Sequence, residues 1–204
     1  MANQTVSSER VRRITGIGML TAVAVVLQYI EIAIPIMPSF IKLDFSDLPE
    51  LLGAFAYGPV AGVTIALLKN LIHLAVSQSG FVGELSNFLL GAILALTAGL
   101  IYEKNKTKKG ATIAGIAAAV VTAVCSLFTN YFIIYPLYYT VIGFPEAAIL
   151  GMYQVLMPSV GSIFQALLIF NVPFTLVKNL ICVIVCMFIY KPLSPILHGR
   201  GKKS

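Results

Sequence analysis

Hydrophobic residues in this chain run in long blocks broken by short polar stretches, without the two-residue alternation of strands. The blocks predict helices at about 12–34, 48–57, 59–77, 84–103, 110–134 and 173–190, enough for six membrane spans of about 20 residues each. The second is unusually short. It ends at Gly58-Pro59, a turn that sets Pro59 in the first turn of the next helix. Segment 135–171 holds Pro136, Pro145 and Pro158. It is expected to carry two amphipathic surface helices, near 146–156 and 160–169. Asn171-Val172-Pro173 then reads as the cap and first turn of the last helix. The prediction is an all-α integral membrane protein with six transmembrane helices. It is one membrane domain over 1–204, with tails at 1–11 and 191–204. No internal repeat is evident, so an inverted-repeat transporter design is not supported.

Composition agrees. The chain is 58% hydrophobic and 11% charged with mean hydropathy +0.92, against about 25% charged residues in soluble domains. Arg10, Arg12 and Arg13, then Lys104, Lys106, Lys108 and Lys109, then Lys191, Arg200, Lys202 and Lys203 supply 11 of the 14 bases in three patches. The positive-inside rule makes all three patches, and so both termini, cytoplasmic. Glu31, Asp44, Asp47, Glu50, Glu84 and Glu146 fall in or near the segments left for the outer face. The net charge of +6 therefore reports topology, and no nucleic-acid partner is expected. The basic start followed by an apolar run lacks a small-residue cleavage site and reads as a retained first helix. Cys125, Cys182 and Cys186 lie in apolar runs without zinc or disulfide spacing, and are read as small packing residues.

The stretch KLDFSDLPELLGAFAYGP (42–59) sets a polar loop with acids before the short helix. Irregular backbone at membrane depth is tolerated only where it is buried or lines a cavity, so a cavity open to the outside is expected here. Lys178 sits about 8 Å into the last helix, where a lysine costs roughly 3 kcal/mol to insert. It either snorkels to the surface or donates into the cavity, and Thr175, three residues earlier, shares its face. Asn130 offers a donor and an acceptor side by side, suited to an amide or imide edge on a flat heterocycle. Tyr131, Tyr135, Tyr138 and Tyr139 either stack on such a ring or form an interfacial aromatic belt. Glu84 and Asn87 open the fourth helix, as ligand contacts or as helix-terminal groups. Phe45 and Asp47 belong to the outer loop, where Asp47 reads alternatively as the cap of the second helix with Glu50 completing a capping box. Lys69, Asn70 and His73 share the third helix. No nucleophile motif, paired-aspartate signature or GxxxxGK[ST] loop is present, so neither an enzyme nor a self-powered pump is expected. Gly18 and Ala22 form a small-xxx-small pair that admits a partner helix, or packs within the chain.

Together these residues resemble the substrate-binding S components of energy-coupling factor (ECF) vitamin transporters, with the nearest likeness to the riboflavin-specific RibU family. The blocks that carry it are KLDFSDLPELLGAFAYGPVAGVTIALLKNLIHL (42–74), GELSNFLLG (83–91) and NVPFTLVKNL (171–180), with GMLTAVAVVLQ (18–28) as a looser match. The resemblance implies the six-helix S-component fold in a prokaryotic cell membrane. Its vitamin pocket opens outward, lined by the ends of the fourth to sixth helices and the first outer loop. Riboflavin would be a transported ligand and not a cofactor; no cofactor is expected. Lys178 and Asn130 match polar ligand contacts, and Thr175 stands where the family's PFNLxK pattern has Asn. Gly18 and Ala22 match the AxxxA motif that docks on the transmembrane T component, with Gly in place of the first Ala. The implied partners are the T component, two ATPase subunits and membrane lipids, and the implied mechanism is toppling of the loaded S component. An S component for thiamine, biotin or pantothenate, a small membrane enzyme and a structural adaptor are the alternatives.

Overall fold

The computed structural model describes residues 2–198, with side chains for 9–190. The chain runs α1 (Ala2–Tyr29), β1 (Ile32–Ala33), β2 (Lys42–Leu43), α2 (Asp47–Tyr57), α3 (Pro59–His73), α4 (Val82–Lys104), α5 (Lys108–Thr129), α6 (Tyr135–Leu137), α7 (Glu146–Leu156), α8 (Ile163–Ala166) and α9 (Val172–His198). Among the described residues, five helical stretches are long and apolar enough to cross a membrane: Glu9–Tyr29, Pro59–Val76, Val82–Lys104, Lys108–Ile142 and Ile163–Tyr190. The second predicted helix, α2, has 11 residues. That is about 16 Å, half of a roughly 30 Å hydrocarbon core. It tolerates this length because it is enclosed: Pro49, Leu51, Leu52, Gly53, Ala54 and Phe55 are all buried, so its ends need not meet lipid.

Small residues let α2, α3 and α4 approach closely. A Cβ on Gly62 of α3 would lie 2.7 Å from Ala95 Cβ and 2.8 Å from the Glu50 carbonyl oxygen. Gly58, at φ 94°, ends α2 in a conformation that suits glycine, and Pro59 starts α3. The core draws Leu20 and Ala24 from α1, Leu51 and Phe55 from α2, Ile65 from α3, Leu94 and Ala98 from α4, Ala114 and Ala118 from α5, and Cys182 and Cys186 from α9. A second apolar cluster, including Tyr135, Ile149, Tyr153 and Leu167, caps the end opposite the lysine-rich turn at 104–109.

Several expectations are corrected. The first helix ends at Tyr29, not near 34, because residues 32–33 pair antiparallel with 42–43 as a short ribbon. The first amphipathic helix forms as α7, burying Ile149 and Tyr153. The second does not lie separately: 163–198 is one continuous helix, so Asn171-Val172-Pro173 is helix interior and not a start. Proline removes a helical N–H and crowds the carbonyl four residues back. The wide π turns at Asn130–Ile134 and Leu167–Asn171, just before Pro136 and Pro173, open the ladder where each proline would clash. Helix α9 continues past residue 190, where the last helix was expected to end. The side chains of 191–204, including the third basic patch, lie outside the described residues.

Candidate functional site

A cavity of about 480 Å³ opens at the acidic end of the bundle. Its wall is built from the end of α1, the ribbon, the start of α2, the facing ends of α3 and α4, the π turn after α5, and α9. Asp47, Glu84, Asn87, Asn130, Thr175 and Lys178, scattered over 131 positions of sequence, all line it. Phe45 does not: it packs against the main hydrophobic core. Gly18 and Ala22 lie elsewhere, exposed on the outer face of α1 beside Met19 and Val23. A Cβ on Gly18 would meet nothing within 4 Å.

The floor of the cavity is a buried charge cluster. The Lys178 ammonium lies 3.0 Å from Asp44 Oδ2 and 2.9 Å from Asp47 Oδ2. Lys69, fully buried on α3, lies 3.2 Å from Asp47 Oδ1 and 2.6 Å from Glu50 Oε1 and donates to Ser46 Oγ. Asp47 therefore bridges two lysines. The Ser46 amide and hydroxyl both donate to Asp44 Oδ1, the amide at 2.8 Å. Burial opposes ionisation of Asp44, but Lys178, Lys69 and Ser46 outweigh it and hold its carboxyl well below the usual carboxylate range. Three carboxyl groups thus face two lysines, tying α2, α3, α9 and the end of the ribbon together.

This arrangement replaces the capping reading of 42–50. Ser46 is the residue before α2 and makes no side-chain cap bond. Asp47 faces lysines, and Glu50 points at Lys69 and against Gly91 of α4, where any Cβ would sit 2.3 Å from Glu50 Oε2. Lys178 neither snorkels nor stands free: two of its three N–H donors are directed at aspartates and one remains. The signal for these partners was already in the sequence. Lys69 interrupts an apolar helix as Lys178 does, and a lysine at membrane depth requires a carboxylate.

The upper wall is neutral and polar. Asn130, 5% exposed, accepts from the Ser86 hydroxyl at 3.5 Å. Its placement at the opening of the π turn turns it inward with Ile134. Glu84 accepts from Ser77 (2.7 Å) and Ser79 (3.2 Å) and pairs with His73 (2.9 Å), so it knots the α3–α4 connection. Tyr135 leaves the expected aromatic belt: it is buried, hydrogen-bonded to Tyr153, whose hydroxyl donates to Asn171 at 2.6 Å. Tyr138 lines the cavity, while Tyr131 is 40% exposed and packs edge-on against Phe132 and Phe164. Asn171, Asn179 and Asp44 are cavity residues that the sequence reading did not propose. Asn179 is 2% exposed one turn beyond Thr175, within a run read only as apolar helix.

Residues 12–190 match the family model described as ECF transporter, substrate-specific component. The chain is 35% identical over 186 residues to the riboflavin transporter RibU of Staphylococcus aureus (strain TCH60), covering 91% of this chain and 92% of that one. It is 25% identical over 189 residues to the riboflavin transporter FmnP of Bacillus subtilis (strain 168), covering 91% and 94%. A solved structure of the S component of a bacterial ECF transporter superposes with a TM-score of 0.73 at 34% identity, covering 92% of this chain and 98% of that one. A family match across nearly the whole chain, on the same helical scaffold, shows that this chain belongs to the substrate-specific components of ECF transporters.

Proposed function

We propose that this chain captures riboflavin from outside a prokaryotic cell and presents it for ATP-driven uptake with a T component and two ATPase subunits. The observation that carries this reading is the cavity itself. Its volume falls within the roughly 300–1,000 Å³ typical of small-molecule sites. Its wall combines aromatic and aliphatic faces with neutral amides and hydroxyls above a floor of paired charges. Riboflavin is a flat tricycle with an imide edge and a hydroxylated tail. Asn130 and Asn87 supply paired donor and acceptor groups, Thr175 a hydroxyl, and Lys178 its remaining N–H donor for a ring carbonyl. Tyr138 supplies a ring face or edge. Two relatives named as riboflavin transporters support this vitamin over thiamine, biotin or pantothenate.

The topology proposed is six membrane helices, with α2 the enclosed short one and both termini cytoplasmic. The basic patches then lie inside and the cavity opens outside. The chain does no chemistry on its cargo, as befits a component of a transporter. The exposed strip around Gly18 and Ala22 is the proposed docking face for the T component. Purification from cells grown with riboflavin tests the reading. The protein is expected to carry flavin, visible in its absorption and released on denaturation. A colourless preparation that also fails to take up added riboflavin would contradict it.

A further inference from the structure

We infer that a second cavity, at the basic end of the bundle, holds the anionic phosphodiester headgroup of a membrane phospholipid. It has a volume of about 410 Å³ and lies between the start of α1, the end of α2, the end of α4 with the turn after it, and Tyr190 of α9. Three cations stand on its wall: Arg12 and Arg13 from α1, and Lys106 from the α4–α5 turn. Two acids, Glu9 and Glu103, share that wall, and all five side chains are exposed. Among the described residues, none of these three cations is within ion-pair distance of a carboxylate, whereas Lys42 and Lys178 of the outer cavity both are.

The rest of the wall is aromatic. Phe55 packs edge-on against Tyr102 and Tyr190, with ring centroids 5.0 and 6.2 Å away. A Cβ on Gly16 would sit 2.1 Å from the Tyr57 hydroxyl oxygen, so this glycine lets Tyr57 lie against α1 one turn beyond Arg12. Guanidinium forks and tyrosine hydroxyls both donate to phosphate oxygens. Tyrosine also suits the headgroup level of a bilayer. The flanks favour a lipid over a soluble anion. Val11 and Ile14, beside the two arginines, are 60% and 64% exposed, and Phe188, two residues before Tyr190, is 77% exposed. Acyl chains cover such side chains, and a free phosphate leaves them bare. On the topology proposed above, the cavity faces the cytoplasmic leaflet, where basic pockets between helices take anionic headgroups. A headgroup held between α1 and the α4–α5 turn fixes the depth of this end of the bundle.

The test is native mass spectrometry of the full chain in detergent, with phosphatidylglycerol and phosphatidylcholine of matched acyl chains added in equal amounts. The native chain is expected to retain phosphatidylglycerol in preference. The triple variant Arg12→Gln, Arg13→Gln, Lys106→Gln should retain about tenfold less of it. The matched triple Arg10→Gln, Lys108→Gln, Lys109→Gln, which removes the same charge from residues off the cavity wall, should stay within about twofold of the native chain. Thermal midpoints check that both variants are folded, and the comparison of lipids on the native chain needs neither. Equal retention of the two lipids would overturn the inference. So would equal losses in the two triples, because the attraction is then diffuse. Displacement of phosphatidylglycerol by inorganic phosphate would make the ligand a soluble anion and overturn the lipid assignment. A first triple that keeps the lipid but loses uptake in cells would overturn it too, and give these cations to a protein partner.

Discussion

Lys178 is held by Asp44 and Asp47 while keeping one donor toward the cavity. Its replacement therefore has two separable effects. Lys178→Ala leaves two buried carboxylates short of a partner, a loss on the order of 3–5 kcal/mol. A marked fall in thermal midpoint is expected, and Asp44→Asn in the same chain should recover part of it. Riboflavin affinity should drop in both variants, because the ring contact is absent from each. An unchanged midpoint in Lys178→Ala would mean that the cluster is not stabilising. Asp44 also gives a pH signature. Its folded carboxyl lies below the ordinary value of 3.8, so its contribution is fully present above about pH 4 and is lost as pH falls toward the folded value. Thermal midpoints of the native chain minus those of Asp44→Asn should be constant from pH 7 to 5 and shrink below pH 4. A difference that grows on acidification contradicts the pairing. Each lysine was legible in the sequence as an intramembrane charge that needed a partner. Which acid it takes was not, because Asp44 and Lys178 stand 134 residues apart and meet only through the packing of four elements.

Among the elements, α2 is short because its neighbours shield it, and that shielding depends on residues without bulk. Gly62→Ala should destabilise by about 1–3 kcal/mol, since its Cβ has no space between Ala95 and the Glu50 carbonyl. Gly151→Ala in α7 is the control: nothing lies within 4 Å, and removing a helical glycine should stabilise by about 0.5–1 kcal/mol. Thermal melts of the two variants check the pair, and the opposite order would contradict the packing. Hydropathy revealed the long helices and α7 because length and amphipathic period are local properties. It missed the continuity of 163–198 and the continuation of helix beyond α5, through α6, to residue 142. Proline and asparagine normally mark a helix start, and only the π turns at 130–134 and 167–171 let the chain pass them without a break. The two-residue ribbon at 32–33 and 42–43 carries no strand-length signal and was likewise invisible.

At the scale of the whole molecule, one end of the bundle gathers acids around a cavity, and one flank of α1 offers an open face to the membrane. These regions are distinct, so binding and uptake should separate. Gly18→Trp or Ala22→Trp is expected to leave riboflavin affinity within about twofold while reducing uptake in cells at least tenfold. Normal uptake would refute the docking role. Fold class and family were legible because hydropathy, charge asymmetry and the blocks at 42–74 and 171–180 are whole-chain patterns. The roster of the cavity was partly legible: Lys178, Asn130, Thr175, Asn87, Glu84 and Asp47 line it, while Phe45 turns away into the core. The cavity is proposed to hold riboflavin. The most direct measurement is a titration of purified, ligand-free protein with riboflavin, followed by flavin fluorescence, with thiamine and biotin as competitors. Saturable quenching at one vitamin per chain is expected, with a midpoint that neither competitor shifts. Absence of quenching, or displacement by thiamine or biotin, would contradict it.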